Sequence, residues 1–249
     1  MIKGMHRVFI IIGIATIIVS AVSCKLDVPI REMSQAKTSI TRAVEVRAEK
    51  YAPDELKNAK DLLLECHSEI IKEDLDKAKS LAEKSSAESA KAIEKSLPLL
   101  SSDTYSEAKK LFDEADMLYA AKYSPESFTS ADALLKEAAA LNEKKEFWDS
   151  YLKSTEGAKL AEKAKADSLP HVALVRQEID ATIASADDLK ARGGDSYAKA
   201  EISSAKEKLA AAREKAEASN LKEAVPLLDE AKTSLAGARE TTLRGTSES

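Results

Sequence analysis

The sequence is poor in the residues that build sheets and tight turns. Of 249 residues, 4% are aromatic, 7 are glycine and 6 are proline. Strand proteins need β-branched and aromatic runs broken by frequent turns, and such runs are absent beyond Val22. Alanine occurs 42 times, and charged residues make up 33% of the chain. This composition predicts an all-α protein built from long helices or helical bundles.

The sequence also lacks an excess of basic residues. Its formal net charge is −5, and residues of both signs are interspersed along the chain. Nucleic-acid-binding proteins normally concentrate Lys and Arg on one face, so we expect no nucleic-acid partner. The hydrophobic content of 44% is high enough to bury a core, which argues against a disordered chain.

The first residues have the pattern of a targeting segment. Lys3 and Arg7 precede a 15-residue apolar stretch, 8–22, which is shorter than the roughly 20 residues of a membrane-spanning helix. The stretch ends in Ser-Ala-Val-Ser-Cys at 20–24, which resembles the lipobox of bacterial lipoprotein signal peptides. That resemblance implies a signal peptide at 1–23, cleavage before Cys24, and attachment to the membrane through acyl chains on Cys24. The alternatives are a plain signal peptide or an uncleaved anchor.

The rest of the chain contains an internal repeat. The segment 50–54 aligns with the segment 122–126, 72 positions later, and Tyr197 lies 74 positions beyond Tyr123. After each tyrosine, apolar residues recur in steps of three and four, which is the pattern of a helix that packs on other helices. These positions are Leu56, Ala59, Leu63, Cys66 and Ile70 in the first copy; Phe128, Ala131, Leu135 and Ala138 in the second; Ile202, Ala205, Leu209, Ala212 and Ala216 in the third.

The repeat predicts three units of three helices each. The predicted boundaries are 24–97, which includes the lipidated Cys24, then 98–169 and 170–244, followed by a short polar tail at 245–249. Turns are expected near 72–74, 97–103, 122–125, 144–146, 168–170, 192–196 and 219–220. The units could form an elongated array of helical bundles or a continuous α-solenoid. The short junctions around Pro98 and Pro170 favour stacked or rigidly coupled units.

One part of the first copy resembles a known domain. Residues 51–59 read Tyr-Ala-Pro-Asp-Glu-Leu-Lys-Asn-Ala, and residues 74–82 read Asp-Leu-Asp-Lys-Ala-Lys-Ser-Leu-Ala. This pair of segments is similar to a helical-hairpin domain of bacterial envelope lipoproteins, which in some of them precedes an OmpA-like domain. The resemblance implies an envelope location and a helical form, and no catalytic residue. No OmpA-like sequence follows here, so we do not expect peptidoglycan binding.

Candidate catalytic and metal-binding residues are few. Cys66 aligns with Ala138 and Ala212 of the repeat, which predicts a core position rather than a reactive thiol. His67 and His171 have no set of Cys, His, Asp or Glu at metal-ligand spacing around them. We therefore expect no catalytic residue, no metal and no cofactor, and interpret the protein as a non-enzyme.

Aromatic residues are concentrated in the second copy. Of the 10 aromatics after Cys24, 8 lie within 98–169: Tyr105, Phe112, Tyr119, Tyr123, Phe128, Phe147, Trp148 and Tyr151. Phe147, Trp148 and Tyr151 follow a predicted turn where the other copies have mainly Leu and Ala. Because exposed Trp and Tyr are favoured anchors in interfaces, we predict that these three bind a partner. Alternatively, the rings fill a gap between units.

Together these features predict a bacterial lipoprotein of the cell envelope. Its membrane contact would be the lipid on Cys24. Its function would be that of a helical-repeat scaffold or adaptor for another envelope protein. The alternative is a carrier of a small ligand or peptide that uses a groove of the helical array. The sequence does not indicate the oligomeric state or which membrane holds the protein.

Overall fold

A computed structural model of the protein describes residues 28–248, and within that range it contains helices and connecting turns but no strand. The prediction of an all-α fold is confirmed. The signal peptide and Cys24 lie outside the described residues. In chain order the helices are α1 (Ile30–Glu45), α2 (Ala48–Tyr51), α3 (Pro53–Ile71), α4 (Leu75–Met117), α5 (Ala120–Tyr123), α6 (Pro125–Glu143), α7 (Phe147–Ser168), α8 (His171–Leu189), α9 (Asp195–Tyr197), α10 (Lys199–Glu217) and α11 (Leu221–Glu248); a π-helical turn, Lys190–Gly194, joins α8 to α9.

The chain divides into two compact units. Their boundary falls between Ser96 and Leu97, inside α4. The division into three units, and their arrangement as an array or solenoid, stay predictions. Helix α11 runs on to Glu248, so most of the predicted polar tail is helical.

Backbone turns recur at the spacing of the sequence repeat. Positive φ angles occur at Arg47, Tyr119 and Gly193, which are separated by 72 and 74 positions. A second set, at Glu73, Lys145 and Ser219, has the same two spacings. In the left-handed region the chain reverses direction after a helix, and glycine is the residue that adopts it at least cost. Five of these six positions are not glycine, so the turns recur where the residue type does not favour them.

The prediction of a turn at 97–103 is wrong. Helix α4 continues from Leu75 to Met117 with Pro98 in its interior. A proline there removes one backbone hydrogen bond and costs about 3 kcal/mol in an isolated helix. Ser96, Leu100 and Ser101 on either side of it are fully buried. Burial of both flanking turns offsets the local cost, because most helical stability in proteins comes from packing rather than propensity.

The seams that the repeat predicts form much of the core. In the first unit, Leu56, Ala59 and Cys66 of α3 are buried, and Cys66 packs with Ala78, Leu81 and Ala82 of α4. In the second unit, α8, α10 and α11 share a large apolar cluster, to which α10 contributes Ile202, Ala205, Leu209, Ala212 and Ala216. Burial raises the pKa of the Cys66 thiol, which keeps it protonated and unreactive.

Candidate interaction surface

The turn between α6 and α7 positions the aromatic residues at the start of α7. Helix α6 ends at Glu143, and Lys145 takes a positive φ of 63°. The backbone N–H of Lys145 donates to the carbonyl of Asn142 at 3.0 Å, and that of Glu146 donates to the carbonyl of Leu141 at 2.9 Å. These bonds satisfy the last carbonyls of α6 and reverse the chain, so that Phe147 is the first residue of α7.

The inner face of α7 is a seam of small side chains. Its buried residues, spaced four and three apart, are Ser150, Ser154, Gly157, Ala161, Ala164 and Ser168. The hydroxyl of Ser150 donates to the carbonyl of Ala138 in α6 at 2.9 Å. A Cβ on Gly157 would lie 3.3 Å from Leu135 of α6, tighter than most Cβ contacts. The two helices therefore pack too closely for large rings to fit along the seam.

The large side chains of α7 lie on its other faces instead. Trp148 is 42% exposed and Leu152, one helical turn further, is 47% exposed. Phe147 and Tyr151 are half-buried. The rings of Trp148 and Tyr151 have centroids 5.4 Å apart and are tilted by 39°. We call these four residues the α7 aromatic patch. The structure thus brings together Trp148 and Tyr151 of the three predicted residues, and adds Leu152, which the sequence analysis missed.

A groove open to solvent runs beside the patch. It is lined by Ala140, Leu141 and Lys144 of α6 and by Asp149, Leu152 and Lys153 of α7. Lys153 pairs with Glu137 across the groove, with 2.8 Å between Nζ and Oε2. The hydrogen bond from Lys153 to Glu137 raises the pKa of Lys153, which keeps it charged. Apolar side chains with a charged rim are the composition of protein–protein interfaces.

A second groove lies between α8 and α11. Thr182 and Leu189 of α8 face Leu235 and Ala236 of α11, and Lys232 forms an ion pair with Glu178 across it. This is one location for the groove that the carrier alternative requires, and that alternative stays a prediction.

The cysteine and the two histidines for which the sequence predicts no catalytic or metal-binding role differ in their exposure to solvent. His67 is exposed on α3, and Cys66 is fully buried. His171 is half-buried, and its imidazole stacks on the ring of Tyr123 with centroids 3.8 Å apart, a contact that the sequence analysis missed. Across residues 28–248, no group of three or more His, Cys, Asp or Glu side chains is placed to hold a metal ion.

Part of the chain matches a known protein family. Residues 31–98 are similar to a family described as a domain of unknown function (DUF4398). The matched segment covers α1 to α3 and the part of α4 up to Pro98, well under half of the chain. No curated protein and no solved structure matches the sequence. In the part of the chain that the structure describes, no helix has the length and apolar character needed to cross a membrane.

Proposed function

We propose that this protein is a lipid-anchored, non-enzymatic scaffold or adaptor of the bacterial cell envelope, which holds another envelope protein through the α7 aromatic patch. The observation that carries this proposal is the exposure of Trp148 and Leu152 on a helix whose inner face packs through small residues. The large side chains of α7 are not needed to fill the α6–α7 seam.

The chemistry of the patch supports binding. Trp and Tyr offer a large contact area on few rotatable bonds, so ordering them in a complex costs little entropy. Interface residues of this kind can each contribute about 2 kcal/mol or more when a partner excludes water from them. The rings of Trp148 and Tyr151 already contact each other in the free protein. Pre-organised side chains lose less freedom on binding, which favours affinity.

The proposed lipid anchor would hold the first described helix, α1, near a membrane. Only residues 25–29 separate Cys24 from Ile30, the first residue of α1. The six residue steps from Cys24 to Ile30 span at most about 20 Å when fully extended. The first described helix would therefore stay next to the bilayer, and the protein would act on partners within or beside that membrane.

Crosslinking in the native host tests the proposal. Chains with Trp148→Ala and Tyr151→Ala together should lose the crosslinked partners that mass spectrometry identifies for the wild type. A matched control removes two other exposed apolar side chains, Leu64→Ala and Ile71→Ala, which are 66% and 84% exposed. We expect the control to keep its partners, because exposed Leu and Ile outside the patch are not part of the surface.

Two results would count against the proposal. The first is an unchanged set of crosslinked partners in the patch variant. The second is a large fall in the melting temperature of the purified patch variant relative to the Leu64/Ile71 control. That fall would assign the rings to packing within the protein.

A further inference from the structure

Helix α1 presents three basic side chains to solvent. Arg31, Lys37 and Arg42 are all exposed. None of the three pairs with a carboxylate among residues 28–248, whereas many other lysines of the same unit do. We call these three residues the α1 basic face.

The repeat provides an internal comparison for this charge. The sixteen positions of α1, 30–45, contain three basic and two acidic residues. The aligned segment 102–117, which lies 72 positions later, contains two basic and five acidic residues. The third copy, 176–191, contains two basic and four acidic residues. Of the three equivalent segments, only the one nearest the predicted lipid is net positive, in a chain that is net negative overall.

Apolar side chains accompany the basic face. Ile30 is 70% exposed and Val44 is 39% exposed. Ile30, Lys37 and Val44 are spaced by seven positions, so they lie along one side of the helix. A helix that combines exposed Lys and Arg with exposed apolar residues fits the interfacial region of a membrane, where cations meet phosphate groups and apolar side chains enter the boundary of the acyl chains.

We propose that the α1 basic face binds the anionic phospholipid headgroups of the membrane that holds Cys24. The inference rests on the proposed lipid anchor, which would confine α1 to within about 20 Å of the bilayer. Electrostatic attraction is screened over about 8–10 Å at physiological salt, so only a closely tethered surface benefits from it. Each basic side chain near an anionic surface strengthens association roughly fivefold.

The consequence is a defined orientation of α1 at the membrane, with the α1 basic face toward the headgroups.

The test uses the lipidated full-length protein in vesicles. A fluorophore is attached at Gln35→Cys, an exposed position of α1, in a Cys66→Ala background, and vesicles carry headgroup quenchers. We expect strong quenching in vesicles that contain phosphatidylglycerol, weak quenching in pure phosphatidylcholine, and relief of quenching by high salt. Substitution of Arg31→Gln, Lys37→Gln and Arg42→Gln together should lower the ratio of membrane-bound to free α1 by about a hundredfold.

A control variant with the same net charge distinguishes an effect of the α1 basic face from an effect of the protein's net charge. Lys57→Gln, Lys84→Gln and Lys163→Gln remove three other exposed lysines and leave the same net charge. We expect this control to be quenched like the wild type. Equal loss in both triple variants, or equal quenching of the wild type in neutral and anionic vesicles, would overturn the inference. Flotation of the protein with vesicles tests the lipid anchor separately. If the protein floats with both neutral and anionic vesicles, the proposal of a lipid anchor stands even when the inference about α1 fails. If it floats with neither kind, both proposals are overturned.

Discussion

The ring of Tyr123 stacks on the imidazole of His171, with centroids 3.8 Å apart and planes 9° from parallel. Tyr119 meets the same tyrosine edge-on, at a centroid distance of 6.2 Å. In the third copy the equivalent tyrosine, Tyr197, packs so closely on Gly245 that a Cβ there would overlap its ring. Gly245 lies 74 positions after His171 in the sequence. In both places, the tyrosine after a left-handed turn contacts the same position of the repeat.

We predict that Tyr123 and His171 are energetically coupled. Tyr123 packs against the large cluster of the second unit, so Tyr123→Leu and His171→Leu should each reduce the free energy of unfolding. Stacked rings contribute about 0.5–1.5 kcal/mol beyond their buried area, so the double variant should lose less than the sum of the single losses by that amount. Urea unfolding of the four proteins in the cycle measures this difference. Tyr123→Leu combined with Leu152→Ala, an exposed residue, should be additive; additivity in the Tyr123/His171 cycle would contradict the prediction.

The buried seams could be predicted because they follow from helix geometry alone. Leu56, Cys66 and Leu209 belong to runs with steps of three and four positions, and all three are buried as that spacing requires. The turns predicted at 72–74, 144–146, 192–196 and 219–220 are confirmed, because each contains a residue with a positive φ angle, whereas the turn at Arg47 was not predicted. Gly193 signals its turn, but Arg47 and Tyr119 adopt the same left-handed conformation without a glycine or proline to indicate it.

The contacts between distant segments could not be predicted from spacing. Tyr123 ends α5 and His171 begins α8, and no local pattern relates the end of one helix to the start of another. For the α7 aromatic patch, the residue types suggested an interface, but only the structure shows which side chains are exposed. Trp148 is exposed because the seam of α7 consists of small residues, and those were not singled out in the sequence.

Alanine substitutions at two glycines should change the stability of the protein in opposite directions. Gly237 lies inside α11, and a Cβ there would meet no atom within 4 Å. Gly237→Ala should therefore stabilise the protein by about 0.5–1 kcal/mol, because alanine is the better helix former. At Gly194 a Cβ would come 2.7 Å from the carbonyl oxygen of Leu189 and 2.5 Å from Ile202, so Gly194→Ala should destabilise.

Thermal and urea unfolding of both variants check this pair. The backbone oxygen of Leu189 cannot swing away as a side-chain tip can, so we expect the Gly194 variant to lose more than about 1 kcal/mol. A Gly194 variant as stable as the wild type would show that the turn after α8 relaxes freely. A destabilised Gly237 variant would mean that the solvent-facing side of α11 is covered by another molecule or segment.

If Cys24 carries the proposed lipid anchor, Cys24→Ala should release the protein from the membrane. One acyl chain binds a bilayer only marginally, whereas two or more give stable anchoring, and the bacterial lipoproteins whose lipobox residues 20–24 resemble carry several. Detergent-phase partitioning measures the change. Cys66→Ala is the matched control, because Cys66 is fully buried and unavailable for lipidation, and this variant should partition like the wild type. If the Cys24 variant also partitions like the wild type, the interpretation of residues 20–24 as a lipobox is wrong.

Glu69 should make stability depend on pH at the acidic end. Its side chain is buried, and its Oε1 accepts hydrogen bonds from the Nζ atoms of Lys72 and Lys77, both at 3.0 Å. These bonds, that from Lys72 first, lower the pKa of Glu69 below its ordinary value of 4.5. Such a carboxylate has a lower pKa in the folded state than in the unfolded state. It contributes its full stabilisation at a pH above the pKa of the unfolded state, and that contribution is lost as the pH falls through the pKa of the folded state.

The difference in urea unfolding midpoint between Glu69→Gln and the wild type should therefore become smaller as the pH falls. At pH 7 we expect the variant to unfold at a lower urea concentration, because the charged hydrogen bonds to both lysines are weakened. Below about pH 4.5 the wild type progressively loses the same contribution, so the two midpoints should converge. Glu65→Gln is the control: its side chain is 52% exposed and lies 3.9 Å from Lys77, so its removal should change little at any pH. A midpoint difference for Glu69→Gln that stays constant from pH 7 to pH 3 would show that the ionised carboxylate is not what stabilises this end of α3.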